Sequence, residues 1–97
     1  MEFDWDQAKE EANIAKHGLS FVEAATLFTS GADFLEFFDD TYEGGEERFI
    51  AIGPIAMGVI VVVYTEEVED RIRIISARPA ERDEIRAFQD ALDGGSG

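Results

Sequence analysis

The side chain best suited to proton transfer in this sequence is its single histidine. His17 is the only side chain whose ordinary pKa lies near neutrality, so any acid–base chemistry by an imidazole depends on it. It follows Lys16 at the end of a predicted helix, where the helix dipole favours a cation. A plainer interpretation is that His17 only caps the last carbonyls of that helix.

A second group suited to chemistry consists of five arginines near the end of the chain. They are Arg71, Arg73, Arg78, Arg82 and Arg86. In a strand, alternation places Arg71 and Arg73 on one face and Ile72, Ile74 and Ser76 on the other. Arg78 follows at the junction with a helix, on which Arg82 and Arg86 share a face.

Such arginines suit phosphate, because each guanidinium binds two oxygens at once and keeps its charge. The alternative is that they pair within the chain, since acids lie close by in sequence. These acids are Glu81, Asp83, Glu84 and Asp90.

The net charge of the chain is opposite to that of most nucleic-acid binders. Its 97 residues include 22 Asp and Glu and 8 Lys and Arg, for a formal net charge of −14. Nucleic-acid binders usually carry a basic surface. The acids concentrate in residues 31–70, where Arg48 is the only base, whereas residues 71–97 hold equal numbers of each sign. This distribution permits a phosphate site in the arginine-rich part.

Several functional classes are excluded by composition. The chain has no cysteine, so it forms no disulfide, thiolate nucleophile or cysteine-ligated zinc site. The acidic runs at 39–40 and 66–70 lack the spacing of a calcium-binding loop, and we interpret them as solvated loops, with no metal or cofactor expected. No apolar run approaches the ~18 residues of a membrane span, and the first residues lack the basic start and apolar stretch of a signal peptide. We therefore expect a soluble cytoplasmic domain that does not contact membranes.

Three helices are predicted from capping residues and apolar spacing. Asp6 as N-cap and Gly18 as C-cap predict a helix over about 7–17. The capping box from Ser20 to Glu23 begins a second helix over about 21–29. Its expected inward-facing residues include Val22, Ala25, Leu27 and Phe28. A third helix over about 79–92 has Pro79 in its first position. Its expected inward-facing residues are Ile85, Phe88 and Leu92.

Strands are expected over about 33–38, 47–53, 58–65 and 71–77, with an extension of the second helix as the alternative for 33–38. Residues 59–64 are apolar without alternation, which is typical of a central strand covered on both faces. The connections are too short for crossover helices, so three to four strands form an antiparallel meander. Phe3 and Trp5 suggest a further short strand at the N-terminus. The sequence thus predicts one α+β domain over residues 1–93, followed by a linker-like or tag-like tail at 94–97.

Two sets of residues fall in the order and spacing of a known signature. The first is Phe3-Asp4-Trp5-Asp6, Lys9, Asn13, Lys16-His17-Gly18, Ser20-Phe21 and Ala24-Ala25. The second is Glu47-Arg48, Ile52-Gly53, Val61-Val62-Val63-Tyr64-Thr65 and Arg71-Ile72-Arg73-Ile74-Ile75-Ser76-Ala77-Arg78. Over about residues 3–88, the chain resembles the BrnT toxin family.

The resemblance implies a RelE-like fold and a ribonuclease toxin of a type II toxin–antitoxin system. Such a toxin cuts RNA without a metal ion and inhibits translation. The implied partners are RNA or the ribosome and a BrnA-like antitoxin, in a homodimer or a toxin–antitoxin heterotetramer. The matching motifs carry Lys9, Lys16, His17 and Arg78 as candidate catalytic residues and Arg48 and Arg73 as candidate phosphate ligands. The arginine cluster adds Arg71 and Arg82 to the phosphate ligands.

Two other interpretations of the charge remain open. The chain can be a binding protein on the same scaffold, with weak or no catalytic activity, whose acidic surface imitates nucleic acid or inhibits a basic partner. Phe88 supports this interpretation, because the family commonly has a tyrosine there. The other interpretation is adaptation to high salt, which is compatible with the toxin.

Overall fold

The computed structural model describes residues 1–40, 43–68 and 70–94. The helices are α1 (Gln7–His17), α2 (Phe21–Thr29) and α3 (Arg82–Gly94). The strands are β1 (Glu2–Asp4), β2 (Leu35–Phe38), β3 (Phe49–Ile55), β4 (Gly58–Glu67) and β5 (Arg71–Pro79). This arrangement confirms the predicted α+β class.

The five strands form one mixed sheet in the order β1-β5-β4-β3-β2. Strands β2 to β5 make the antiparallel meander that the short connections predict. The short N-terminal strand is also present, but it pairs parallel with β5, with Glu2 opposite Arg71 and Asp4 opposite Arg73. The sequence did not indicate this pairing, because a parallel partner lies far away along the chain.

The first two helices begin and end where their caps predict. The Asp6 carboxylate accepts from the Lys9 N–H at 3.1 Å, and Gly18 adopts the left-handed conformation with φ +68°. Ser20 and Glu23 form the complete capping box at the start of α2. These bonds satisfy backbone groups that a helix end otherwise leaves unpaired.

Each face of the sheet has its own hydrophobic core. On one face, α2 packs Phe21, Ala24 and Leu27 against the sheet. On the other face, Phe88 of α3 packs against Ile52 and Val61. The central strand β4 is covered on both sides by these cores, as its unbroken apolar sequence predicts.

The helix α2 approaches β3 closely at a glycine. A Cβ built on Gly53 would lie 2.5 Å from Cβ of Phe34 and 2.6 Å from Cδ1 of Leu27. Both distances are shorter than carbon atoms tolerate, so this position accepts only glycine without rearrangement. The close approach lets Leu27 reach the sheet surface.

A β-bulge at Ile75 changes which side chains of β5 share a face. Val63 lies opposite Ser76 and Tyr64 opposite Ile74, so Ile75 is an extra residue in β5. After the bulge, Ala77 rather than Ser76 joins Ile74 in the core beneath α2. The predicted placement of Ser76 beside Ile74 is therefore wrong, because regular alternation does not continue through a bulge.

Further predictions fail at residues near the ends of elements. Pro79 does not begin α3 but ends β5, opposite Ile60. Proline is tolerated there because the backbone nitrogen of this residue points away from β4, so no β4–β5 hydrogen bond requires an N–H from it. Val22 and Leu92 are 62% and 49% exposed, whereas both were expected to face inward. Val22 lies beside the buried Phe21, and Leu92 lies in the last turns of α3, four residues beyond its buried Phe88.

The extent of the domain, residues 1–93, stays a prediction. Gly94 is the last residue of α3, and residues 95–97 of the proposed tail lie outside the described residues.

Candidate functional site

Helix α1 is held against the edge of the sheet by one buried asparagine. The Asn13 side-chain N–H₂ donates to the carbonyls of Leu19 and Ala77, each at 2.8 Å. Its Oδ1 accepts from the Ala77 N–H at 3.1 Å. Bonded and non-bonded residue pairs alternate between antiparallel β4 and β5, and Ala77 belongs to a non-bonded pair. The N–H and C=O groups of Ala77 therefore point away from β4, toward the outer edge of β5. Asn13 thus replaces a neighbouring strand at this point.

A second polar side chain joins α1 to α2. Glu10 is buried, and its Oε2 accepts from the Phe21 N–H at 3.0 Å. Phe21 is the first residue of α2, whose positive dipole end favours a carboxylate. Within the described chain, Glu10 and Asn13 are the only buried residues of α1, so polar bonds rather than an apolar face fix the helix.

The sequence contained a signal for these anchors that apolar spacing does not reveal. Ile14 is the only large hydrophobic residue of α1, and it is 43% exposed. A helix with so little apolar surface needs another means of attachment to a domain. Glu10 and Asn13, three residues apart on one side, supply it.

The candidate catalytic residues of α1 lie around the Asn13 anchor. Lys9 and His17 are one helical turn before and after Asn13, on the same side of the helix. His17 is half-buried, whereas Lys9 and Lys16 are exposed. None of the three side chains forms an ion pair or hydrogen bond with another described residue. The capping interpretation of His17 therefore finds no support, since the cap bond comes from the backbone of Gly18.

The arginines at the start of β5 pair with acids of β1. Arg73 Nη1 lies 2.6 Å from the Asp4 carboxylate, and Arg71 Nη2 lies 3.6 Å from that of Glu2. The parallel register of β1 and β5 places each acid beside its arginine. Intramolecular pairing, the alternative drawn from the sequence, therefore holds for both, although the acids come from the opposite end of the chain.

Arg78 forms a bidentate ion pair with a glutamate of α3. Its Nη1 and Nη2 donate to the two carboxylate oxygens of Glu84 at 2.8 and 2.7 Å. The hydrogen bond from Arg78 lowers the pKa of Glu84, and the bond to Glu84 raises that of Arg78. Glu84 also accepts from the Glu81 N–H at 2.8 Å, so one carboxylate fixes both the arginine and the start of α3.

The bulge at Ile75 and the Asn13 anchor together bring the candidate residues of α1 and of β5 to the edge of β5. After Ile75, Arg78 lies on the same face as Arg73, and it follows Ala77 directly. Ala77 is the residue that Asn13 binds, with Lys9 and His17 on either side of that contact. Lys9 and His17 of α1 and the arginines of β5 therefore flank one sheet edge.

The remaining predicted phosphate ligands lie elsewhere. Arg48 precedes β3, two strands from β5, and lies 3.6 Å from Glu46. Arg82 and Arg86 are exposed on α3 and form no ion pair with a described carboxylate. Arg48 was not part of the predicted arginine cluster, and the two residues just before it, Glu46 and Glu47, line a pocket together with Arg73.

An open pocket of about 380 Å³ lies beside Arg73. Four glutamates line it with that arginine: Glu46, Glu47, Glu66 and Glu67. This excess of negative charge opposes the binding of a phosphate there.

Comparison with known proteins identifies the family. Residues 5–84 match the family model described as "Ribonuclease toxin, BrnT, of type II toxin-antitoxin system". The chain belongs to the BrnT family. Its structure is similar to the crystal structure of the Brucella abortus ribonuclease toxin BrnT, with 29% sequence identity and a TM-score of 0.62. The match covers 84% of this chain and 99% of that chain. A comparison with curated proteins found no match.

In this BrnT-family chain, Phe88 serves the core. The ring is 6% exposed and fixes α3 on the sheet through Ile52 and Val61. No group of three or more potential metal-ligating side chains occurs among the described residues, and the expectation of no metal or cofactor stays a prediction. No described helix has the length and apolar character that crossing a membrane requires.

Proposed function

We propose that this BrnT-family chain cleaves RNA without a metal ion at the edge of β5, and thereby inhibits translation. The observation that carries the proposal is the Asn13 anchor. It holds α1, with Lys9, Lys16 and His17, against the strand that carries Arg73 and Arg78. Membership of a family described as ribonuclease toxins supports the same conclusion.

The proposed chemistry uses the RNA itself as nucleophile. A base removes the proton of a 2′-hydroxyl, whose oxygen attacks the adjacent phosphorus, while an acid protonates the departing 5′-oxygen. His17 or a lysine of α1 serves as base or acid. The β5 arginines stabilise the charge that develops on the phosphorane oxygens. The products are a 2′,3′-cyclic phosphate and a free 5′-hydroxyl.

Arg73 and Arg78 must exchange partners for this role. Both guanidiniums lie on carboxylates, Asp4 and Glu84, and their side chains are 39% and 38% exposed. Phosphate oxygens therefore reach them from solvent and either share or displace those carboxylates. We assign Arg78 to the reacting phosphate, since it is next to the anchor, and Arg71, Arg73 and Arg82 to flanking phosphates. We assign Arg48, two strands from β5, to a further flanking phosphate.

The direct test is cleavage of a labelled RNA oligonucleotide by the purified chain in excess EDTA. We expect a cyclic phosphate product, and no product when the attacking 2′-hydroxyl is replaced by hydrogen. His17→Ala should slow cleavage by about 10²–10⁴-fold, the usual contribution of an acid–base group. Glu11→Gln, an exposed change on the same helix, serves as the control. Absence of cleavage of free and ribosome-bound RNA, together with normal growth on expression, would refute the proposal.

We also propose that a BrnA-like antitoxin holds the toxin inactive in the cytoplasm, in a toxin–antitoxin heterotetramer. The alternative of a homodimer is distinguished by the mass of the purified assembly with and without the antitoxin. Co-expression should restore growth and suppress RNA cleavage by the same preparation. Continued cleavage in the isolated complex would contradict this part.

A second candidate function is an inactive acidic binding protein. The observation that favours it is that Arg71, Arg73 and Arg78 are each already bound to a carboxylate of the chain. In that case, Asp4→Asn and Glu84→Gln, which release two of the arginines, would produce no RNA cleavage. Retained binding of a basic partner protein by the same inactive chain would then establish this function.

A further inference from the structure

The two edges of the sheet differ in how they are protected. At one edge, β1 and the Asn13 side chain cover the backbone groups of β5. At the other edge, β2 pairs with β3 alone in the described chain. Exposed strand edges bind further strands unless charge or a covering element prevents it. The edge of β2 is therefore the open one.

The bonding register shows which backbone groups of β2 are available. The Asp39 N–H donates to the Arg48 carbonyl at 2.8 Å, which makes this pair a bonded one. Bonded and non-bonded pairs alternate in an antiparallel ladder, so Phe37 is also bonded to β3. The N–H and C=O groups of Glu36 and Phe38 consequently point away from the sheet, where a new strand would bind.

Two phenylalanines next to these groups are exposed on opposite faces. Phe37 is 46% exposed and Phe38 is 51% exposed. Phe38 makes an edge-to-face contact with Phe49, with centroids 5.7 Å apart, and about half of its surface stays exposed. A strand added to β2 would cover both rings and remove apolar surface from water.

The charge around this edge selects the partner. The acids on or next to β2 in sequence are Asp33, Glu36, Asp39 and Asp40. Burial raises the pKa of Glu36, and the charge of the nearby Glu66 raises it further. The acids of a second copy of the chain, or the phosphates of RNA, would be repelled by the acids at this edge, so both of these partners are disfavoured. A cationic strand is favoured.

We propose that β2 binds an extended basic segment of a partner protein as a sixth strand of the sheet. Its Lys or Arg residues lie on the face of Glu36 and Glu66, and its apolar residues lie on the opposite face beside Phe37. The site is three strands from β5, or about 14 Å, at the usual spacing of strands. Docking there leaves the proposed RNA-cleaving edge open, so this inference goes beyond the proposed function and does not depend on it.

The test uses the full chain and a fluorescent nine-residue peptide in which Lys and Val alternate. We expect binding at least tenfold tighter than that of the same peptide with Glu in place of Lys. Hydrogen exchange at the Glu36 and Phe38 amides should slow when the basic peptide is bound. Equal binding of both peptides, or no protection of these two amides, would overturn the proposal. Dimerisation of the free chain through β2 would overturn it as well.

A non-specific attraction between a basic peptide and an acidic chain is excluded by N-methylation. Methylating the peptide nitrogens that face β2 should weaken binding at least tenfold, whereas methylating those that face away should not. Equal effects of the two modifications would contradict strand addition. Phe37→Ser should also weaken binding, while Met57→Ser, which changes an equally exposed hydrophobic residue outside β2, should not. No assay contains RNA, so a negative result here leaves the RNA-cleavage proposal untouched.

Discussion

The side-chain amide of Asn13 forms with Ala77 the two hydrogen bonds that a neighbouring strand would otherwise form. One amide thus closes the edge of β5 beyond the three residues that β1 covers. The same amide also binds the Leu19 carbonyl, so it links the end of α1 to the sheet. This single side chain thus joins α1, strand β5 and the connection between α1 and α2.

Asn13→Ala should strongly destabilise the protein. The change removes three hydrogen bonds and leaves the Ala77 N–H and two carbonyls without partners in a buried position. Each buried unsatisfied group costs about 1–3 kcal/mol, partly relieved by water, so we expect a loss of about 2–4 kcal/mol in urea unfolding. Glu11→Ala, on the exposed side of α1, should change stability by less than about 0.5 kcal/mol. Equal effects of the two substitutions would show that Asn13 is not an anchor.

Glu84→Gln should reduce stability only where the carboxylate is ionised. The bond from Arg78 lowers the folded pKa of Glu84, so the contribution is complete above the ordinary glutamate pKa. It disappears as the pH falls through the folded value. Because both side chains are partly exposed, we expect about 0.5–1 kcal/mol at pH 7. Thermal unfolding of both proteins from pH 2 to 7 measures this difference, and a difference that stays constant with pH would contradict it.

Glu36→Gln should have the opposite effect at neutral pH. The Tyr64 hydroxyl donates to Glu36, and burial followed by the charge of Glu66 raises the pKa of this carboxyl. The folded protein therefore holds the proton more tightly than the unfolded chain, and stability falls as the pH rises through the folded value.

The amide introduced by Glu36→Gln keeps an acceptor for Tyr64 without the charge, so this variant should be more stable than the parent at pH 7. The gain should be less than about 1 kcal/mol, because Glu36 contacts water, and should vanish in acid. Glu66→Gln should reproduce part of it. Equal pH profiles for the parent and E36Q in urea unfolding would rule out this interpretation.

Gly53→Ala should disturb the contact between α2 and β3. The added methyl would lie 2.5 Å from Phe34 Cβ, an atom attached directly to the backbone and unable to rotate away. Overpacking of this kind costs about 1–3 kcal/mol. At Gly94 a Cβ meets nothing within 4 Å, so Gly94→Ala is the matched control and should not destabilise. Comparable melting temperatures for both variants would disprove the close contact.

Much of the fold was predictable because its signals are local. Asp6, Gly18 and the Ser20 capping box determine the ends of two helices through bonds within a few residues. The apolar run of β4 and the short connections determine the meander. In both cases, the interacting groups are close in sequence, where residue type and spacing carry the information.

The parts that sequence reasoning missed depend on distant residues. The bulge at Ile75 has no distinctive residue type, yet it moves Arg78 to the face of Arg73. The partner of Arg73 is Asp4, 69 residues away, rather than an acid of α3. The ion pairs of Arg71 and Arg73 were therefore not predictable from the sequence, because they require the parallel contact of β1.

The pairing of β1 with β5 also determines at what point of its synthesis the protein can complete its fold. The first strand has no partner until residues 71–73 have been made, and α1 cannot dock until Ala77 is available to Asn13. Contacts that span most of the chain form late, since the connecting segment must be ordered first. The proposed RNA-cleaving edge therefore cannot assemble until the ribosome has synthesised residue 77.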